Sequence, residues 1–260
     1  MTGPPVAVVT GAGRGIGAAV VRRLSADGWA VIAVDRCADD PGVPYPLAHP
    51  RQLAELAESL PKVHAVQADV RDRAAIAGAV ELAEQDYGRL DAAAAAAVIL
   101  GGRPVWELSD QDWDTLVGVD VTGVLNLVRA AVPALLRMPD PRQGRFVAVT
   151  SAAAHRGLWG LAGYCAAKHA VLGLVRGLAC DLRGTGVAAV AVSPGSTRTA
   201  MLRATADLYQ LADPDDFAGQ QLVGRLLEPA EIAEVVAWAC SSAAAALTGS
   251  ALHADGGFSG

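Results

Sequence analysis

The sequence predicts an α/β protein: one doubly wound parallel sheet of about seven strands with helices on both faces. Three observations predict it. Strand-like apolar runs alternate with helix-like segments almost to the C-terminus, as repeated βα units do. A glycine-rich turn follows the first apolar run and opens a helix. The 260 residues, 52% of them hydrophobic, can fill a large core. No linker or internal repeat interrupts them, so residues 1–260 read as a single domain.

The elements follow in order. Val6–Thr10 reads as a strand and Gly15–Asp27 as a helix stopped by Gly28. Ala30–Asp35 is a second strand. The CADDPGVPYPLAHP stretch after it is loop by its Pro, Gly and Asp content. A short helical pattern over Gln52–Leu60 leads into a strand at Val63–Ala68, and Asp72 opens a helix that runs to Tyr87. Ala92–Ile99 is apolar throughout, and its place in the alternation makes it a strand. Trp113–Met138 is a long helical stretch expected to be interrupted at Pro133. Arg145–Thr150 and Val187–Ser193 are strands on either side of a long helix at Gly163–Arg183, and Pro194-Gly195 stops the second of them. Thr199–Leu227 is irregular or helical. Pro229–Cys240 is a helix with proline at its start, and Ser250–Ala254 is a last short strand.

The net charge is −6 and no basic block is present, which argues against nucleic acid as a partner. Cys37, Cys165, Cys180 and Cys240 form no CxxC pair and no zinc-like spacing. No metal is expected, and free thiols in a reducing cytoplasm are the simplest reading. The segment MTGPPVAVVTGAG has no charged leader region and is not expected to be a signal peptide. The longest apolar run, Ala92–Leu100, is far short of a membrane span. A cytoplasmic protein without membrane contact is therefore expected.

The first strand ends in Thr10-Gly11-Ala12-Gly13-Arg14-Gly15-Ile16-Gly17. Glycines permit a sharp turn and a close approach to pyrophosphate, while the helix N-terminus offers free N–H groups and a positive dipole end. Gly11, Arg14, Gly15, Ile16 and Gly17 are thus candidate dinucleotide contacts, and the fold is expected to be Rossmann-like. Asp35 ends the second strand, where a carboxylate can accept both adenosine ribose hydroxyls and repel a 2′-phosphate. That favours NAD, although Arg14 or Arg36 is able to pair with such a phosphate. Asp69-Val70 ends the third strand. Asp69 either holds the adenine amino group or simply shapes a turn.

Tyr164-Cys165-Ala166-Ala167-Lys168 puts Tyr and Lys on one helix face. The ammonium is expected to lower the phenol's pKa, so that tyrosinate can take an alcohol proton. Lys168 can also hydrogen-bond the nicotinamide ribose. Ser151, thirteen residues earlier, can hold the substrate oxygen. A Lys four positions after some Tyr arises by chance in only about 3% of chains of this composition, which favours chemistry over accident.

With these motifs in place the chain resembles the short-chain dehydrogenase/reductase family nearly end to end, through TGxxxGIG, Ser…YxxxK and Pro194-Gly195. The resemblance implies an NAD-dependent alcohol dehydrogenase, with Thr197 and Thr199 near the nicotinamide carboxamide. Two departures stand out. An Asn-Asn-Ala-Gly segment is replaced by Ala95-Ala96-Ala97-Val98, leaving Ala96 and Ala97 only backbone contacts to the cofactor. A helical Asn that helps bind a relay water is matched by Asp120. Its carbonyl can still hold that water, or its carboxylate can compete with Tyr164 for Lys168.

A lengthened connection over about residues 36–61, with Ala97–Pro104 and Pro194–Thr197, is similar to the mycofactocin-dependent subgroup of this family. Its members resemble nicotinoproteins, which hold NAD without exchange and pass its electrons to mycofactocin. The connection is either a cover over the cofactor or a surface loop. Met201, Leu202, Leu208, Tyr209, Leu211 and Phe217, with Leu158, Trp159 and Trp106, imply a region over 199–227 that covers an apolar pocket for a small lipophilic alcohol or carbonyl compound. Core packing explains the same residues equally well. His155 is expected to be structural. Ordinary exchanging NAD(P) chemistry, or a non-catalytic NAD sensor, are the competing readings. The resemblance also implies a homotetramer. Ala167, Ala170, Gly173, Leu174 and Gly177 form a small-residue stripe that suits either a helix pair between subunits or packing on the chain's own sheet.

Overall fold

Alternate residues of each central strand feed two separate cores. In a computed structural model describing residues 3–259, the strands are β1 (Val6–Thr10), β2 (Ala30–Asp35), β3 (Val63–Gln67), β4 (Ala92–Ala95), β5 (Arg145–Val149), β6 (Ala188–Pro194) and β7 (Ala251–Ala254). They form one parallel sheet in the order β3-β2-β1-β4-β5-β6-β7. The termini of the expected 1–260 domain, including Gly260, lie outside the described residues.

Val6 and Val8 face one side with Ile32, Ala93 and Phe146; Ala7 and Val9 face the other with Val31, Ala94 and Val147. Both faces are covered, so the strands read as unbroken apolar runs. Helices α1 (Gly15–Ala26) and α8 (Pro229–Cys240) cover the second face; α3 (Arg73–Tyr87), α5 (Gly123–Arg137) and α6 (Ala162–Asp181) cover the first. α2 (Pro50–Glu58) lies in the lengthened connection, α4 (Asp110–Val117) precedes α5, and α7 (Ala200–Leu208) follows β6. The chain reverses its direction across the sheet between β1 and β4, where ligands bind at the strands' carboxyl ends in such folds.

Three boundaries differ from expectation. The fourth strand ends at Ala95, not Ile99, because the chain there turns out of the sheet over the glycine loop. The long helix begins at Asp110, where the Ser109 hydroxyl accepts the Asp112 N–H at 3.1 Å. It is not broken at Pro133. Pro133 and Arg129, whose carbonyl loses its partner, both face solvent. The irregularity is instead a π-helical turn at Gly118–Thr122.

Asp110–Arg137 has the length and apolar content of a membrane span, yet Val124, Leu127, Ala131 and Leu135 are buried in the core that α5 shares with α3 and the sheet.

Candidate functional site

The glycine loop shows why its glycines are required. A Cβ on Gly11 would lie 2.6 Å from the Ala96 carbonyl oxygen, and one on Gly17 would lie 2.0 Å from the Gly11 oxygen. Gly11 and Gly15 also adopt left-handed φ values of +69° and +55°. No side chain caps the α1 N-terminus, so its first N–H groups remain available to an anion. They open into a cleft lined by Gly11, Arg14, Gly15, Ile16 and Gly17 on one side and by Asp35, Arg36, Asp69, Val70, Ala96 and Ala97 on the other. This is the combination a dinucleotide needs: a phosphate cradle at a helix end and a carboxylate at the neighbouring strand tip.

Asp35 is fixed at that tip. Its carboxylate accepts the Gly13 and Cys37 N–H groups, each at 2.9 Å. Burial, reinforced by Asp35, pushes the Cys37 thiol up to about 12, so it stays protonated near neutral pH. Asp69 shapes a turn: its Oδ1 accepts the Arg71 N–H at 2.9 Å, and the Arg71 guanidinium grips both carboxylate oxygens. Arg36 is also engaged, with its guanidinium on Asp40 and its Nε 3.3 Å from Asp69.

The lengthened connection lies across the cleft. The Leu100 N–H donates to the Tyr45 hydroxyl at 2.9 Å, and Arg14 Nη1 donates to the Pro46 carbonyl at 2.6 Å. The Arg14 guanidinium sits 5.7 Å from the Tyr45 ring centre. Leu47 and Ala48 line the cleft from above. The connection therefore ties the glycine loop to the segment after β4.

At the other end of the cleft Ser151 caps the turn after β5, its hydroxyl accepting the Ala153 N–H at 3.1 Å. Tyr164 and Lys168 lie one turn apart on α6, with Nζ 5.5 Å from the phenol ring centre. The π-helical turn carries Asp120 into the same place, as such turns often do at functional sites. Asp120 is fully buried, accepts the Ile99 N–H at 2.9 Å, and lies 3.1 Å from Lys168 Nζ. Burial raises the Asp120 carboxyl while Lys168 opposes the rise.

The expectation that Lys168 lowers the Tyr164 phenol is overturned here. Burial, and next to it the Asp120 charge, push that phenol above its ordinary value, while the neighbouring Ser151 hydroxyl pulls it down. Burial is the main reason, and the Asp120 carboxylate 3.1 Å from the ammonium adds to it by offsetting the charge that would favour tyrosinate.

A second cavity of about 450 Å³ opens beside Ser151 and Tyr164, within the ~300–1,000 Å³ range of small-molecule pockets. Pro194, Gly195 and Thr197 form one side of it. Ile16, Val98, Thr199 and Met201 border both clefts. The Thr199 hydroxyl caps α7 and Thr197 Oγ1 donates to the Gly195 carbonyl at 3.0 Å, so both fix this wall through backbone turns. Leu158, Trp159, Leu202, Tyr209 and Phe217 line the outer part. Tyr209 donates to the Trp159 carbonyl at 2.6 Å. Three expected contributors do not reach the cavity. Trp106 is 82% exposed, Leu208 packs against the main core, and Leu211 packs against the small cluster of Ala206, Phe217 and Leu226. His155 is structural, bonded to Ser193 Oγ at 2.9 Å and stacked on His253.

Sequence patterns missed Tyr45, Asp40, Arg71 and Asn126. Asn126 donates to the Val70 and Arg71 carbonyls at 2.9 and 3.2 Å and so holds the turn after β3. A polar residue among the apolar positions of α5 was the available signal. The segment that lacks Asn is held through its backbone: the Ala96 and Ala97 N–H groups both point at Thr10 Oγ1, at 3.3 and 3.4 Å.

The comparisons agree with this geometry. The family model described as Enoyl-(Acyl carrier protein) reductase matches residues 11–259. An uncharacterized oxidoreductase of Mycobacterium tuberculosis is 36% identical, the match covering 97% of this chain and 95% of that protein. Meso-2,3-butanediol dehydrogenase of Serratia marcescens is 34% identical over 97% of this chain and 93% of its own length. Among solved structures, carveol dehydrogenase from Mycobacterium avium in complex with NAD superposes with a TM-score of 0.92 at 29% identity, covering 99% and 98% of the two chains. Matched over residues 11–259 and 36% identical to a relative over 97% of its length, this chain belongs to the short-chain dehydrogenase/reductase family.

Proposed function

We propose that the protein is an NAD-dependent dehydrogenase acting on a lipophilic, secondary alcohol. The observation that carries this is the meeting of two clefts at Ile16, Val98, Thr199 and Met201, one shaped for a dinucleotide and the other apolar and lined by Ser151 and Tyr164. The α1 N-terminus would hold the pyrophosphate, Asp35 the adenosine ribose, and Lys168 the nicotinamide ribose. Bound NAD supplies the hydride acceptor. Tyr164, as tyrosinate, takes the proton of the alcohol hydroxyl. Ser151 holds the same oxygen, and the apolar walls exclude water from it. Among the relatives named for a substrate, carveol and butanediol dehydrogenases support a secondary alcohol. Tyr164→Phe is expected to lower turnover on a panel of secondary alcohols by at least about a hundredfold with NAD binding retained; wild-type turnover in that variant would sink the assignment.

The cover formed by Tyr45 and Pro46 favours a finer reading, in which NAD stays bound and mycofactocin reoxidises it in place. Ordinary exchange of NAD is the alternative. Purified protein should carry about one NAD per chain, reduced in place by alcohol without turnover on added NAD. Protein that purifies without nucleotide and turns over freely with added NAD would favour ordinary exchange. We also propose a homotetramer. Ala170, Gly173 and Gly177 are exposed on α6, and a Cβ on either glycine would meet nothing within 4 Å. These small residues therefore face outward, not onto the chain's own sheet.

A further inference from the structure

At the adenosine end of the cleft four charges interlock. Asp40 Oδ2 accepts from Arg36 Nη1 and, at 2.8 Å, from Arg71 Nη2. Arg71 holds Asp69 through Nε at 3.0 and 3.1 Å and through Nη2 at 2.6 Å. Arg36 Nε lies 3.3 Å from the same Asp69 carboxylate. Asp40 is 8% exposed, and its other oxygen accepts the Gly42 N–H at 2.9 Å, so its side chain is fixed from two directions. Arg36, Asp40 and Asp69 all line the cleft beside Asp35.

Arg36 directly follows the strand-end carboxylate, where a free guanidinium would attract a 2′-phosphate. Here two carboxylates neutralise it. The four interlocked groups sum to zero charge, and Asp35 adds one negative charge beside them. Arg14, the other candidate, is turned to the Pro46 carbonyl and the Tyr45 ring. A phosphate dianion brought to Arg36 would also approach Asp40.

We propose that Asp40, contributed by the lengthened connection, is a second determinant of NAD over NADP, acting by holding Arg36 away from the 2′-phosphate position. The proposal rests on the dinucleotide reading of this cleft. In the Asp35→Ser variant the cluster is still neutral and Arg36 is still paired. Only with Asp40 also neutral does the site gain net positive charge beside the ribose.

The test is the ratio of NADP to NAD affinity in the full chain, read by titration with the two nucleotides. Where the chain purifies loaded, the ratio is read from the nucleotides released by acid. Asp35→Ser should raise the ratio by loss of the ribose contacts and of the repulsion, and Asp35→Ser with Asp40→Asn should raise it at least about tenfold further, the worth of one charge-assisted contact. Adding Arg36→Met to the double variant should return the ratio to that of Asp35→Ser alone. Asp40→Ser replaces Asp40→Asn if the latter does not fold. Asp35→Ser reaching the full gain by itself overturns the proposal, as does a gain that survives Arg36→Met, or parallel changes for both nucleotides. Failure of the wild-type chain to bind either nucleotide would instead refute the dinucleotide reading.

Discussion

Replacing Asp120 with Asn should make the protein a better base at neutral pH. The Asp120 oxygen is 3.1 Å from Lys168 Nζ, which is 5.5 Å from the Tyr164 ring centre, so the carboxylate lies within about 8.6 Å of that ring. At an effective dielectric of ~20, a unit charge at that distance disfavours tyrosinate by about 2 kcal/mol, a factor of about 30 in its population. Asn keeps the shape and can still accept the Ile99 N–H. It removes the charge and frees the ammonium for Tyr164. Both effects stabilise tyrosinate. Alcohol oxidation by the wild type should rise with pH as tyrosinate forms, and in Asp120→Asn that limb should move to lower pH. The assay is the pH profile of turnover on one secondary alcohol at saturating concentration. Breaking a buried ion pair costs roughly 3–5 kcal/mol of stability, but loss of folded protein scales the whole profile and does not move its limb. A limb that stays in place, or moves to higher pH, would refute the argument that the Asp120 carboxylate acts against Tyr164.

Three further outcomes are expected. Tyr45→Phe removes the acceptor of the Leu100 N–H and should speed release of bound NAD about 5- to 100-fold, from a cost of ~1–3 kcal/mol; release at the wild-type rate would show that the connection does not retain the nucleotide. Gly173→Leu places a large side chain where Gly173 now faces open space; it should convert a tetramer to smaller species in light scattering while leaving the far-ultraviolet spectrum unchanged. A wild type that is already monomeric would reject the assembly proposal. Leu127→Ala empties a fully buried site in α5 and should cost about 2–5 kcal/mol in denaturant unfolding.

The parts of this molecule that were legible in the sequence are those governed by short periods. The sheet could be read because its central strands are apolar on both faces, and the glycine turn because its contacts span only a few residues of one βα unit. Tyr164 and Lys168 could be paired because one helical turn brings them together. The π-helical turn at Gly118–Thr122 was not legible, since it replaces a helix by another helix with the same composition. Nor was the burial of Arg145, which opens β5 at 1% exposure and donates to the carbonyls of Gly144, Gly186, Ser241 and Ser242. A charge satisfied largely by carbonyls from two distant segments leaves no local pattern.

The same reason hid the polar residues of the site. Tyr45 meets Leu100 across 55 positions and Asp40 meets Arg71 across 31, and neither pairing is defined until the loops are placed. Asp120 is the instructive intermediate case. Its sequence position exposed a departure from the family's Asn and left two roles open; the 3.1 Å approach to Lys168 in a fully buried setting puts the carboxylate where it can compete for the ammonium. The Ala95–Val98 segment differs in kind, because Thr10 on the adjacent strand accepts the Ala96 and Ala97 N–H groups. A backbone contact of that kind is indifferent to the side chains at 96 and 97, whereas a carboxylate 3.1 Å from the Lys168 ammonium changes the charge facing Tyr164.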